Sequence, residues 1–134
     1  GWINIPSDNP EKIFEHVTQT HDLIVIDEIQ FFNKKIVGVI LKLQKLMKNI
    51  IFAGLDRDFR GEPFGSMEQL MFHTNELTKL YAICNQCGEP AYYTQRLIDG
   101  EPAPYGAPIV SIEGKGKKEE YEARCFKHHI VPRE

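Results

Sequence analysis

No stretch of this chain stays apolar for the roughly 20 residues that a bilayer-spanning helix needs, and no secretory signal pattern is present. Basic residues are not in excess: 16 Lys and Arg stand against 19 Asp and Glu, a net charge of -3. A protein that neutralises a nucleic-acid backbone needs the opposite balance, so neither nucleic acid nor membrane is expected as a partner. Cysteine is scarce, at three residues. An odd number forbids a complete internal disulfide framework and fits a reducing, cytoplasmic compartment. No G-x-x-x-x-G-K-S/T or other glycine-rich phosphate cradle occurs, and no internal repeat is found. What is present is 134 residues, 42% hydrophobic and 26% charged. That is about one domain, or one with a small appendage, long enough to bury a core without staples.

The stretch from Leu23 to Phe32 organises the rest. Leu23-Ile24-Val25-Ile26 runs without polar interruption into Asp27-Glu28, which suits a strand buried on both faces of a parallel sheet. In such sheets ligands gather beyond the carboxyl ends of the strands. Asp27 and Glu28 stand at that end, one able to hold a metal ion and the other to accept a proton. The pattern resembles a Walker B strand.

Upstream, Asn9-Pro10 reads as an N-cap with proline at the first helical position, opening a short helix through about Gln19 with Ile13, Phe14 and Val17 on one face. From Asn33 to about Lys48, Ile36, Ile40, Leu43 and Met47 recur at helical spacing, with Lys34, Lys35, Lys42, Lys45 and Lys48 on a solvated face. Ile50 to Leu55 is a second buried strand, making a strand–helix–strand crossover and a parallel pair. The loop from Asp56 to Gly65 is rich in charge and glycine yet holds Phe59 and Phe64. Ser66 with Gln69 predicts a capping box for a helix containing Met67, Leu70 and Met71. Leu77 to Ile83 reads as a last strand of the main sheet. After Cys84 the residues favour short strands, Tyr92 to Ile98, Ile109 to Ile112 and Tyr121 to Cys125, with Asp99-Gly100 as a turn.

Cys84-x-x-Cys87 and Cys125-x-x-His128 are two ligand pairs at the spacing of zinc knuckles. Thiolate and imidazole together suit tetrahedral zinc. His129 competes with His128 for the fourth position, and spacing favours His128. Four protein ligands leave no open position for water, so the expected role is structural. The segment from Gly88 to Arg124 then becomes a lasso closed at its base by the metal.

Asp27-Glu28-Ile29-Gln30-Phe31-Phe32 resembles the Asp-Glu-x-Gln-Phe-Phe of the cytosolic-type, tetrameric, zinc-containing thymidine kinase family. Gly54-Leu55-Asp56-x-x-Phe59 with Pro63-Phe64-Gly65 is similar to its signature loop. Leu77-Thr78-Lys79-Leu80, the paired cysteines, Tyr93-Thr94-x-Arg96 and Tyr121-Glu122-x-x-Cys125 follow in the family's order. The resemblance covers nearly the whole chain after residue 21. It implies an α/β fold: a P-loop-kinase-like parallel sheet with flanking helices, incomplete at the N-terminus, plus a small zinc-binding β-rich lasso domain. Residues 1–83 are then the C-terminal part of the P-loop domain, with the Walker B strand, and residues 84–134 the zinc-bound lasso.

The implied activity is transfer of the γ-phosphoryl of ATP to the 5′-hydroxyl of thymidine, with magnesium, in nucleotide salvage for DNA synthesis. By motif position Glu28 is similar to the catalytic base and Asp27 to the magnesium-side carboxylate, with Ile29 and Gln30 on the ATP side. Phe59 corresponds to a pocket aromatic and Thr94 to the contact with the 5-methyl group. Val110, Ser111, Ile112, Glu113 and Gly114 fall where the backbone grips the base, and Tyr121 where the nucleoside is touched. Leu55 and Phe64 supply further apolar walls, which a flat base requires. Feedback inhibition by thymidine triphosphate and a homotetramer are implied likewise. Histidine stands as the fourth zinc ligand where many members have cysteine. In the family the phosphate cradle precedes the Asp-Glu strand, so it is expected upstream of Gly1. Two rival functions remain at this point: a Walker B ATPase or helicase-like core, and a non-enzymatic zinc-ribbon interaction module.

Overall fold

The computed structural model describes residues 1–110 and 116–133. They form two compact units: Gly1–Asp56 with Pro63–Glu76, and Arg57–Glu62 with Leu77–Glu134. The second unit thus begins at Leu77 and also takes in the short segment that carries Phe59.

In the first unit β1 (Leu23–Ile26) pairs in parallel with β2 (Asn49–Phe52), in register Leu23 to Asn49 and Ile26 to Phe52. Between them α1 (Lys35–Lys45) makes the crossover. Strand side chains alternate between faces. Ile24, Ile26, Ile50 and Phe52 therefore turn together onto the core of Ile13, Ile29, Ile36, Val39, Ile40, Leu43, Met67 and Leu70. Each fully buried aliphatic side chain there contributes about 1.5–3 kcal/mol over leaving it exposed. The opposite face carries Leu23, Val25 and Ile51, and Val25 is 62% exposed. Burial of the strand on both faces is thus not found. The helices of the described residues cover one side only, and a parallel pair needs a layer on each. Two parallel strands are present among the described residues, where a wider P-loop sheet was expected.

Helix α1 follows its sequence pattern through Ile36, Val39, Ile40 and Leu43, all buried. Asn33 supports its start by accepting the Lys35 amide at 3.0 Å. Its end departs from the pattern: Met47, expected on the apolar face, is 86% exposed with φ at 60°. The Met47 amide bonds the Gln44 carbonyl and the Lys48 amide the Leu43 carbonyl, at 2.9 and 3.1 Å. This is a Schellman stop, a position that normally takes glycine. The helix expected near Asn9 is a 3-10 turn, Pro10–Glu15. The capping box at Ser66 is also absent, since no side-chain bond caps α2 (Met67–Phe72). Ser66 has φ -96° and ψ 15°, outside the extended region from which a hydroxyl reaches the next turn.

In the second unit β3 (Ala82–Ile83) pairs antiparallel with β4 (Pro90–Ala91). The expectation that Leu77 to Ile83 closes the main sheet is therefore corrected. Only its last two residues are strand, and hydrogen bonding around the following cysteine turn commits them to this hairpin: the Cys84 amide bonds the Glu89 carbonyl at 2.8 Å. A three-stranded sheet follows in the order β6 (Glu101–Pro102), β5 (Tyr93–Ile98), β7 (Glu119–Arg124), antiparallel throughout. Asp99 and Gly100 both take positive φ, 50° and 82°, as a two-residue turn between twisted strands requires. Ile109 and Val110 are not strand, and the rest of the strand expected there lies outside the described residues.

Replacing Met47 with glycine removes the left-handed penalty at an exposed site. Met47→Gly is expected to raise stability by up to about 1 kcal/mol, read as a higher urea midpoint. A lower midpoint would show that the Met47 side chain contributes packing that this geometry does not reveal.

Candidate metal centre and carboxylate pair

Cys84 follows β3, and Gly88, at φ 76°, turns the chain back so that its amide bonds the Cys84 carbonyl at 3.0 Å. After β7 the amides of His128 and His129 both bond the Cys125 carbonyl, at 3.1 and 3.0 Å, making the second tight turn. The two turns bring Cys84, Cys87, Cys125 and His128 together, with one ligand atom from each inside 4.8 Å of the others. Cys87 Sγ lies 3.7 Å from Cys125 Sγ, and His128 Nδ1 lies 3.8 Å from Cys84 Sγ and 3.2 Å from Cys125 Sγ. A tetrahedron with Zn–S near 2.3 Å and Zn–N near 2.0 Å sets neighbouring ligand atoms about 3.5–3.8 Å apart. The donor set and its spacing fit one zinc ion, and no sulfur pair is bonded as a disulfide.

Electrostatics around the sulfurs favour the ligand form at one of them. Burial pushes the Cys84 thiol up, but backbone amides in both turns outweigh it and bring it down to about 6. At Cys87 a backbone hydrogen bond at Glu89 acts downward, and desolvation with the neighbouring Cys125 and Cys84 raises the thiol above its usual value. His129 is not a rival ligand. Its Nε2 bonds the Phe59 carbonyl at 2.8 Å, and its ring stacks on Tyr93 at 4.8 Å between centroids.

A second layer of polar contacts ties the two turns together. Glu122 accepts from Asn85, inside the first turn, and from Arg124 Nε at 2.8 Å. Arg124 in turn donates to the His128 carbonyl at 2.9 Å. Such partners orient metal ligands and tune them. Residue spacing marks only part of this network: Glu122 and Arg124, two apart in β7, project to the same side of the sheet, while Asn85 is 37 residues away from Glu122.

The carboxylate pair stands in the first unit, just past β1. Asp27 and Glu28 are both exposed, and Asp27 Oδ1 accepts the Glu28 amide at 2.9 Å. Glu28 has φ 52° and ψ 39°, a left-handed conformation rare for a residue with a side chain. Gln30, 2% exposed, donates to Glu28 Oε2 at 2.7 Å and accepts the Leu55 amide at 3.3 Å. A Cβ on Gly54 would come within 2.5 Å of the Gln30 oxygen, so glycine at that position keeps the clamp open to Leu55. The Ile29 side chain is fully buried, which leaves only its backbone for any ligand.

The other expected site residues divide between the units. Leu55, exposed, belongs to the first, as does Phe64, which meets Phe31 edge-on at 5.4 Å. Phe59, buried, belongs to the second, with the Arg96 guanidinium 5.2 Å above its ring. There too Thr94 pairs with Ala123 and is half-buried, while Tyr121 and Val110 are exposed. Ser111, Ile112, Glu113 and Gly114 lie outside the described residues. Among the described residues no helix is long and apolar enough to cross a membrane.

A parallel strand pair ending in two carboxylates and a separate Cys₃His cluster define an α/β protein with a four-ligand site that fits one zinc ion. The family model described as thymidine kinase matches residues 3–129, and the chain belongs to the thymidine kinase family.

Arg124, chiefly, and Asn85 hold the Glu122 carboxyl below its ordinary range. A carboxyl so lowered stabilises the fold above its unfolded value, about 4.3, and loses that contribution as pH falls through the folded value. Glu122→Gln is therefore expected to lower the urea midpoint at pH 7, with the gap from wild type narrowing below about pH 4. A gap independent of pH would contradict the charge's role.

Proposed function

We propose that this chain carries the proton acceptor and the nucleoside-recognition residues of an ATP:thymidine 5′-phosphotransferase, forming thymidine monophosphate for DNA synthesis. The observation that carries the proposal is the exposed Glu28 carboxylate, held by buried Gln30 beside Asp27 at the end of β1 in a chain of this family. Phosphoryl transfer is mainly positioning and charge neutralisation, with a base for the attacking hydroxyl. Glu28 takes the proton of the thymidine 5′-hydroxyl while that oxygen bonds the γ-phosphorus and the bond to ADP breaks. The hydrogen bond from Gln30 fixes one Glu28 oxygen, so the carboxylate loses less freedom on reaching the reactive geometry.

Magnesium, when bound, neutralises phosphate charge. Asp27 is the residue suited to it, a hard, exposed oxygen donor with Oδ1 already oriented by the Glu28 amide. Ile29 and Gln30 line the ATP side, Ile29 through its backbone. On the nucleoside side Leu55, Phe59 and Phe64 supply apolar walls, Thr94 meets the 5-methyl group, Tyr121 contacts the nucleoside, and the backbone from Val110 to Gly114 reads the pyrimidine edge. Cys84, Cys87, Cys125 and His128 hold zinc as a staple that shapes this unit and takes no part in proton transfer. The proposal further includes a glycine-rich phosphate cradle outside these residues, feedback inhibition by thymidine triphosphate, a homotetramer and a cytoplasmic location.

Glu28→Gln in the full-length protein tests the assignment. Turnover is expected to fall by about 10²–10⁴, while thymidine affinity by calorimetry stays within a few-fold. Undiminished turnover would place the base elsewhere. ATP hydrolysis without thymidine dependence in the wild type would favour a plain ATPase.

A further inference from the structure

We propose that Arg96 is a positioning residue for thymidine binding: one buried guanidinium ties the Phe59 segment to Pro108 and to Glu119 at the start of β7. This rests on the thymidine kinase assignment above. Arg96 lies in β5 and is 2% exposed. One terminal nitrogen donates to the Pro108 carbonyl, and the other to Glu119 Oε1 at 2.7 Å. Its guanidinium carbon stands 5.2 Å from the centre of the Phe59 ring. Pro108 stands two residues before Val110, and Glu119 opens β7, which carries Tyr121. The third guanidinium nitrogen, Nε, has no hydrogen-bond partner among the described residues.

A buried cation is unfavourable unless paired, and an apolar side chain would fill this space at less risk. An arginine earns its place only through the fork: a rigid plane that donates in two directions while its face covers an aromatic ring. Lysine has one charged point and cannot do all three. The residues around Arg96 are the proposed recognition residues. Thr94 precedes it by two and so shares its side of β5, Tyr121 stands opposite it in the register, and Phe59 lies beneath it. Arg96 itself touches no reacting atom, so its removal acts on binding before chemistry.

The test compares Arg96→Lys and Arg96→Ala with wild type in the zinc-loaded, full-length protein. Hydrogen exchange is expected to quicken at 57–62, 104–108 and 117–119 together, with zinc content unchanged and the first unit unaffected. The thymidine KM rises about 10-fold or more while kcat changes less than about 3-fold. Millimolar guanidinium lowers the KM of Arg96→Ala, a rescue that a general folding defect would not show. Glu119→Gln, which retains the arginine, gives a smaller rise of the same sign and serves should both arginine variants fail to fold. An unchanged KM, exchange that quickens in only one segment, or a parallel loss of kcat and zinc would overturn the proposal. If the wild type neither binds nor phosphorylates thymidine, the kinase assignment fails, while the exchange pattern still decides whether Arg96 is the clamp.

Discussion

Closure of the Cys84–Cys87 turn onto the Cys125–His128 turn is the constraint on which the second unit depends. The two turns are far apart in sequence, and among the described residues the strands between them are short: β4 and β6 have two residues each, and β5 and β7 six each. The apolar core at the centre is correspondingly small, Cys84, Cys125 and Ala91 with Ala123 beside them. Burial on that scale offsets little chain entropy, and a structural metal is the usual remedy for a small unit. A metal ion held by Cys84, Cys87, Cys125 and His128 would supply both the stabilisation and the register. Asn85, Glu122 and Arg124 then lock the turns to each other, and His129, next in sequence to a ligand, reaches the Phe59 carbonyl. The segment bearing Phe59 is thus linked through a single residue step to the metal centre.

The first unit is organised differently, by apolar packing with one polar exception. Gln30 is 2% exposed, and an unpaired amide so buried would be expensive. Its bonds to Glu28 and to the Leu55 amide satisfy both ends, so the position of the Glu28 carboxylate is coupled to the path of the chain after β2. Glu28 itself sits in a left-handed conformation without being glycine. Strain of that kind persists only where the surroundings enforce it, and it collects at functional positions.

The legible parts were those in which residue type and spacing carry their own physics. The apolar run into Asp27-Glu28, the helical period of Ile36, Ile40 and Leu43, the Asp99-Gly100 turn and the cysteine pairs can all be read locally. Long-range pairing was less accessible. Ala82 and Ile83 read as strand, and they pair with β4 instead of the main sheet because the choice between two sheets depends on where Cys84 is held. Met47 fits the helical period yet falls past the stop, whose left-handed residue carried no glycine to announce it. The exposed face of Leu23, Val25 and Ile51 reversed an expectation of burial, since periodicity reports what a strand prefers and not which layers are present. Gln30, Arg96 and Glu122 stand in the quoted motifs, but their bonds to the Leu55 amide, to Pro108 and Glu119, and to Asn85 join residues distant in sequence, which no local pattern announces.

The most direct test of the metal-held closure is X-ray absorption at the zinc edge on purified protein. One zinc per chain is expected, with three sulfurs near 2.3 Å and one nitrogen near 2.0 Å in the first shell. A shell of two sulfurs, a vacant position filled by water, or protein that keeps its fold with no bound metal would contradict it.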